Sequence, residues 1–339
     1  MKTPKKIVII ILSIIITTSI AFGCVLNGDS NRPAPPPDAN QPPIEQPPPD
    51  DNIFTHPDLI WQDEFHGDNL DLSNWRIQTG IGRDMGLWFW GNGERQYYRA
   101  ENIRIQNGKL QIIAHNEPFR GTHTANMPFT SARIRTAGRF SVRYGRIEAR
   151  IRVPLGDGFW PAFWMMPEDP TGNNGNIGHY GGWPHSGEID IMESRGRVPN
   201  RVWSAIHFNG HGPGAQSWHR YQYRAFTLPV GQTVDQFHVY AVEWRETEIR
   251  WYVNGILAGT YDLNTVPGTP TNPNAPFDRE FHILLNLAIG GYFDGNREPP
   301  QHLFNDPDNP PMMEVDWVRV FRLPGTATQY TVNGVTNTV

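Results

Sequence analysis

A single cysteine, Cys24, serves all 339 residues, so no disulfide can form within the chain and its fold must stand on a packed core. Basic surplus is also missing. With 29 Lys and Arg against 34 Asp and Glu, the formal net charge is -5 and the pI about 6.2, which argues against nucleic acid as a partner. There is no P-loop, no dinucleotide fingerprint and no G-x-S-x-G elbow; the nearest serine candidate, Ser186, stands directly before Gly187 of the acidic motif discussed below. The twelve His are scattered, with no H-E-x-x-H and no tight pair, so zinc is not indicated. Long amphipathic periods and internal repeats are absent as well, and no helical domain is needed.

What the chain has in quantity is Gly (33), Pro (31) and aromatics, with 12 Trp, 17 Phe and 11 Tyr. Its ordered part reads as short alternating runs, among them Arg146 to Ile151, Phe237 to Val242, Ile249 to Val253 and Val315 to Val320. Asn107-Gly108 and Asn254-Gly255 punctuate them as hairpin turns do. An all-β fold follows, a jelly-roll sandwich of two antiparallel sheets, over residues 54–323. Before it, Lys2, Lys5 and Lys6 precede an apolar run from Ile7 to about Ile15 and then Ala21-Phe22-Gly23-Cys24. That is the layout of an export signal, too short to span as a helix, and Cys24 occupies the lipidated position of a lipobox-like end at residues 1–24. Ala21 and Phe22 depart from the usual lipobox residues. Residues 25–53, with Pro runs at 35–37 and 47–49, read as an extended tether to the membrane. Residues 324–339 are polar and Thr-rich, and are expected to be loosely ordered.

The chemistry concentrates in Gly187-Glu188-Ile189-Asp190-Ile191-Met192-Glu193. Side chains alternate along a strand, so Glu188 and Asp190 share one face and Ile189 and Ile191 the other. Bringing Glu193 onto the acidic face takes one extra residue, which predicts a β-bulge around Ile191-Met192. Two carboxyl groups on one face, one ionised and one protonated, are what glycosidic bond hydrolysis asks for. Asp190 between them would push its neighbours' pKa values apart.

A sugar ring offers an apolar face and a rim of hydroxyls, so Trp platforms and planar donors are the binding residues to seek. Trp160 and Trp164 are four apart and face one way, either lining a groove or packing the core; Trp183 lies on a loop. Arg133 and Arg135 share a face, where they bind hydroxyls, steady a carboxylate or balance charge. His207 either hydrogen-bonds a catalytic carboxyl or is a satisfied core histidine.

The acidic motif with Gly182-Trp183-Pro184 before it resembles the signature of glycoside hydrolase family 16, in the bulge-containing form of laminarinases. Trp61-Gln62-Asp63-Glu64-Phe65, Gly91-Asn92-Gly93-Glu94, Ser131-Ala132-Arg133, Trp160-Pro161-Ala162-Phe163-Trp164, Asn286 to Gly291 and Asp316 to Val320 extend the match over the whole domain. The resemblance implies endo-acting, retaining hydrolysis of β-glucan in a concave cleft, with Glu188 as nucleophile, Asp190 as electrostatic helper and Glu193 as general acid and base. It further implies sugar binding by Asn92, Arg133, Trp160, Trp164, Trp183 and His207, and a structural calcium held by Glu64, Gly108 and Asp316, with no cofactor in catalysis. Laminarin-type β-1,3-glucan is the expected substrate, mixed-linkage glucan a second, and the protein is expected to be a monomer bound to membrane only through its lipid. Galactan hydrolysis of the agarase or porphyranase kind, and a non-catalytic glucan-binding role, are the alternatives.

Overall fold

The computed structural model describes residues 56–121, 126–169, 177–211, 217–266 and 275–339; the signal, Cys24 and tether readings lie outside them. Two large antiparallel sheets face each other. The first runs in the order Ile256–Asp262, Glu248–Val253, His238–Trp244, Gly145–Arg152, Met312–Phe321, Lys109–Ile113 and Ile103–Gln106, with Leu59–Asp63 also paired to Met312–Phe321. The second runs Ser217–Thr227, Arg201–His211, Glu188–Ser194, Phe159–Pro167, Phe281–Ile289, Phe140–Arg143, Gln329–Val332 and Val335–Thr338. Arg133–Arg135 lies beside Phe281–Ile289 and carries Arg76–Gln78 on its far side. This is the jelly-roll sandwich expected from the alternating runs.

Alternation explains the layers. In Gly145–Arg152, Ile147, Ala149 and Ile151 are fully buried while Arg146, Glu148 and Arg150 stay outside. Trp244, Trp251, Val318 and Val320 of the first sheet join Phe163, Met165, Ile189, Ile206 and Leu285 of the second in one core. Each large apolar side chain buried there contributes about 1.5–3 kcal/mol. Trp251 does more than pack, because its indole Nε1 donates to the carbonyl oxygen of Asp190 at 3.0 Å and so ties the first sheet to the acidic strand. Both Asn-Gly turns have positive φ at both residues, 54° and 67° at Asn107-Gly108 and 50° and 77° at Asn254-Gly255, as the twist-matched hairpin turn requires.

The C-terminal segment differs from its expectation. Instead of a loose tail from residue 324, Gln329–Val332 and Val335–Thr338 form a hairpin around Asn333-Gly334. Gln329–Val332 pairs along Phe140–Arg143, so the second sheet continues to residue 338. Thr and Val are β-formers, and on the solvated outer strand no alternation of buried and exposed positions marks them. Among the described residues no helix is long and apolar enough to cross a membrane.

Candidate active site

Glu188–Ser194 is held between Phe159–Pro167 and Arg201–His211. Met165 and Trp164 oppose Ile189 and Asp190, but the next partner of Phe163 is Met192, so Ile191 is the extra residue. On the other side Asp190 opposes Ala205 and Glu193 opposes Trp203, leaving Ser204 against both Ile191 and Met192. The Ser204 hydroxyl donates to the Ile191 carbonyl at 2.8 Å, which satisfies the backbone oxygen that the bulge takes out of the ladder. Ile189, Ile191 and Met192 are buried in the core. The three acids stand together on the opposite face.

Each acid has its own partner. Trp183 Nε1 donates to Glu188 Oε2 at 2.9 Å, and Trp160 Nε1 donates to Glu193 Oε1 at 2.9 Å. His207 Nε2 lies 3.2 Å from Asp190 Oδ2 and 3.8 Å from Glu188 Oε1. Burial, then the charge of Asp190, pushes Glu188 up to about 7, against the opposing pull of His207, the Trp183 hydrogen bond and Arg133. The same two causes push Glu193 higher, to about 8. Burial lowers the His207 imidazole, yet Glu188, Asp190 and Glu193 together outweigh it and raise the group to about 9. At neutral pH an imidazolium therefore stands among the acids, and Glu193 keeps its proton to higher pH than Glu188.

The expected sugar-binding residues reach the same face in different ways. Trp160 and Trp164 are half-buried, and Trp164 Nε1 donates to Asn286 Oδ1 at 2.8 Å. Trp183 is exposed, with its indole N–H turned to Glu188 and its ring beside His219 at 4.5 Å. Arg133 is buried between the rings of Trp90 and Trp164, 4.5 and 4.7 Å from their centroids, with Nε donating to Gln78 Oε1 at 2.6 Å. Its position is that of a strut which supports Trp164 and biases Glu188 toward its charged form. Arg135 is buried on the same face. Asn92 Nδ2 donates to Glu94 Oε1 at 3.2 Å, and buried Glu94 accepts from Tyr98, whose hydroxyl in turn accepts from Asn286. One polar chain thus runs from Asn92 to Trp164.

Sequence reasoning missed His219, Tyr221 and Tyr223, which follow each other on one face of the edge strand Ser217–Thr227. His219 Nε2 is 2.8 Å from His207 Nδ1, and the rings of Tyr221 and Tyr223 stack onward at 6.3 Å, both exposed. The signal was present as an aromatic residue at every second position. Trp203 and Phe293, in edge contact at 5.7 Å, and Phe293 with Trp160 at 5.2 Å, close the Glu193 side.

Glu64, Gly108 and Asp316 lie on neighbouring segments of the first sheet: Asp63 pairs with Val318, and Lys109 reaches Asp316 at 3.8 Å. Both carboxylates are already paired, however. Both Glu64 oxygens accept from Arg319 at 2.7 and 2.9 Å, and Asp316 pairs with Arg150. A divalent cation there would meet two guanidinium groups and an ammonium, so the set in this geometry does not fit calcium, which needs free carboxylate and carbonyl oxygens.

Residues 61–323 match the family described as the GH16 domain of β-porphyranases A–D. The chain is 42% identical to a glucan endo-1,3-β-glucosidase A1 of Niallia circulans over 81% of its own length, but spans only 39% of that relative. It is 38% identical to a β-glucanase of Rhodothermus marinus, covering 79% of this chain and 86% of the other. The laminarinase catalytic domain of Thermotoga maritima superposes with a TM-score of 0.66 at 35% identity, over 78% of this chain and 98% of that one. With its jelly roll, its bulged acidic strand and a family match across most of its length, the chain belongs to glycoside hydrolase family 16.

Proposed function

We propose that the protein is an endo-acting, retaining hydrolase of laminarin-type β-1,3-glucan, with mixed-linkage β-1,3-1,4-glucan as a second substrate. The observation that carries this reading is the pair Glu188 and Glu193 on one face of a bulged strand, each held by its own indole donor and both pushed toward the protonated form. Glu188, ionised, attacks the anomeric carbon while the bond to the leaving oxygen breaks and that oxygen takes the proton of Glu193. In the second half Glu193, now a carboxylate, removes a proton from water, the water oxygen attacks the anomeric carbon, and Glu188 is released as carboxylate. Asp190 and the His207 imidazolium set the charge balance between the two, and Trp160 and Trp183 fix the carboxyl orientations. Relatives named glucan endo-1,3-β-glucosidase at 42% and 37% identity, and an endo-β-1,3-glucanase of matching fold at 36% identity, support the linkage.

A family description that names porphyranases makes galactan the second reading. Reducing-sugar assay and chromatography against laminarin, lichenan, agarose and porphyran separate them. Laminarin is expected to give short oligomers; cleavage confined to a galactan would keep the mechanism and overturn the substrate, and silence on all four would favour a binding protein. The full chain is proposed to be exported, monomeric and anchored through Cys24, with residues 25–53 as tether. Cys24→Ser is expected to move the protein from the membrane fraction to the soluble one, and unchanged membrane association would overturn the anchor.

A further inference from the structure

We propose that His219 is a positioning residue for the reaction: as a neutral hydrogen-bond acceptor it holds His207 doubly protonated and aimed at Asp190, while its ring backs Trp183, the donor to Glu188. The proposal deepens the hydrolase reading and rests on it for its kinetic arm only.

One side chain touches two of the groups that govern the Glu188 carboxylate. His219 Nε2 lies 2.8 Å from His207 Nδ1, and the His219 and Trp183 ring centroids are 4.5 Å apart. Only one hydrogen can sit between two ring nitrogens at that distance, so one imidazole donates and the other accepts. The surroundings decide which. His207 faces Glu188, Asp190 and Glu193 of the motif strand, with Nε2 3.2 Å from Asp190 Oδ2, and every one of these favours its cation. His219 faces no carboxylate in its described contacts; it meets His207, Trp183 and Tyr221, and burial followed by the charge of His207 lowers it to about 4. His207 Nδ1–H therefore donates to His219 Nε2, and His219 carries its own hydrogen on Nδ1. Arg133, which acts on Glu188 from the opposite side, does not contact this pair.

Loss of the acceptor takes the protein partner from Nδ1–H and weakens the case for the cation. A less charged His207 then supports the Glu188 carboxylate less well. The test titrates the His207 ring nitrogens by NMR in the wild type, His219→Gln and His219→Leu, beside kinetics on laminarin. Glutamine can accept from Nδ1–H and leucine cannot. In His219→Leu the His207 midpoint is expected to fall by about one pH unit or more, with kcat down about twofold to threefold above about pH 8, where the ring then loses its charge, and KM within about twofold. In His219→Gln both are expected to stay near wild type. Should His219→Leu fail to fold, His219→Asn, too short to reach, takes its place. Equal His207 midpoints in wild type and Leu variant, or a Gln variant as impaired as the Leu variant, would overturn the proposal. The ring titration needs no substrate, so a wrong substrate class fails separately.

Discussion

Glu188→Gln is expected to lower kcat on laminarin by on the order of 10⁴, with the fold and the melting temperature little changed. The amide keeps the shape of the carboxylate and can turn its oxygen to the Trp183 Nε1 donor, so the local hydrogen bond survives. What it cannot do is form the glycosyl-enzyme. The buried, raised carboxyl is also neutral over part of the working range, so wild-type kcat/KM should rise through about pH 7 as Glu188 ionises and fall through about pH 8 as Glu193 loses its proton. Single-turnover kinetics on an activated β-glucoside, with mass detection of the covalent intermediate, checks the role. An adduct on any other residue, or turnover in the Gln variant near that of the wild type, would remove Glu188 from the nucleophile's place.

The second large effect is at Glu193. Its replacement by Ala should cost 10²–10⁴ in kcat on laminarin, where the leaving sugar needs a proton, and far less on a substrate whose leaving group departs unaided. Azide should then restore turnover by intercepting the glycosyl-enzyme, and the product should be the β-glycosyl azide, since two displacements retain configuration. The Glu188→Ala variant with azide should give the α anomer instead. The reverse pairing of anomers would exchange the two roles. A stability effect accompanies the kinetic one. The folded pKa of Glu193 is raised from 4.5 to about 8, so the stability its protonated form supplies is present below about pH 4.5 and is lost as pH rises through 8. Glu193→Gln, neutral throughout, should melt near wild type at pH 4 and higher at pH 9, by about 2–4 °C for each kcal/mol.

Much of this site could be read from the chain because strand periodicity is rigid. The spacing in Glu188, Asp190 and Glu193 demands an extra residue for the third acid to join the first two, and the register slips at Ile191. Face-sharing likewise placed Trp160 with Trp164, and Arg133 with Arg135. What the chain did not disclose are relations between strands. Whether Arg133 meets sugar or packs between Trp90 and Trp164 depends on residues more than thirty positions away in either direction. His219 becomes meaningful only because the edge strand's register sets Tyr221 opposite His207. The C-terminal hairpin escaped notice for another reason: its outer strand is solvated on both faces and its inner strand only part-buried, so hydrophobic alternation, the main strand signal, is weak. The expected calcium ligands lie on neighbouring segments, and arginines hold both of their carboxylates.

The indole of Trp251, itself part of the core, reaches from the opposite sheet to the backbone oxygen of Asp190. Catalysis therefore has no foldon of its own: the acids cannot loosen while the sandwich stays shut, and heat should extinguish turnover and near-ultraviolet ellipticity along a single curve. Selection for a faster or cooler enzyme would have to act on the loops and the edge strand, where rigidity is not shared with the interior.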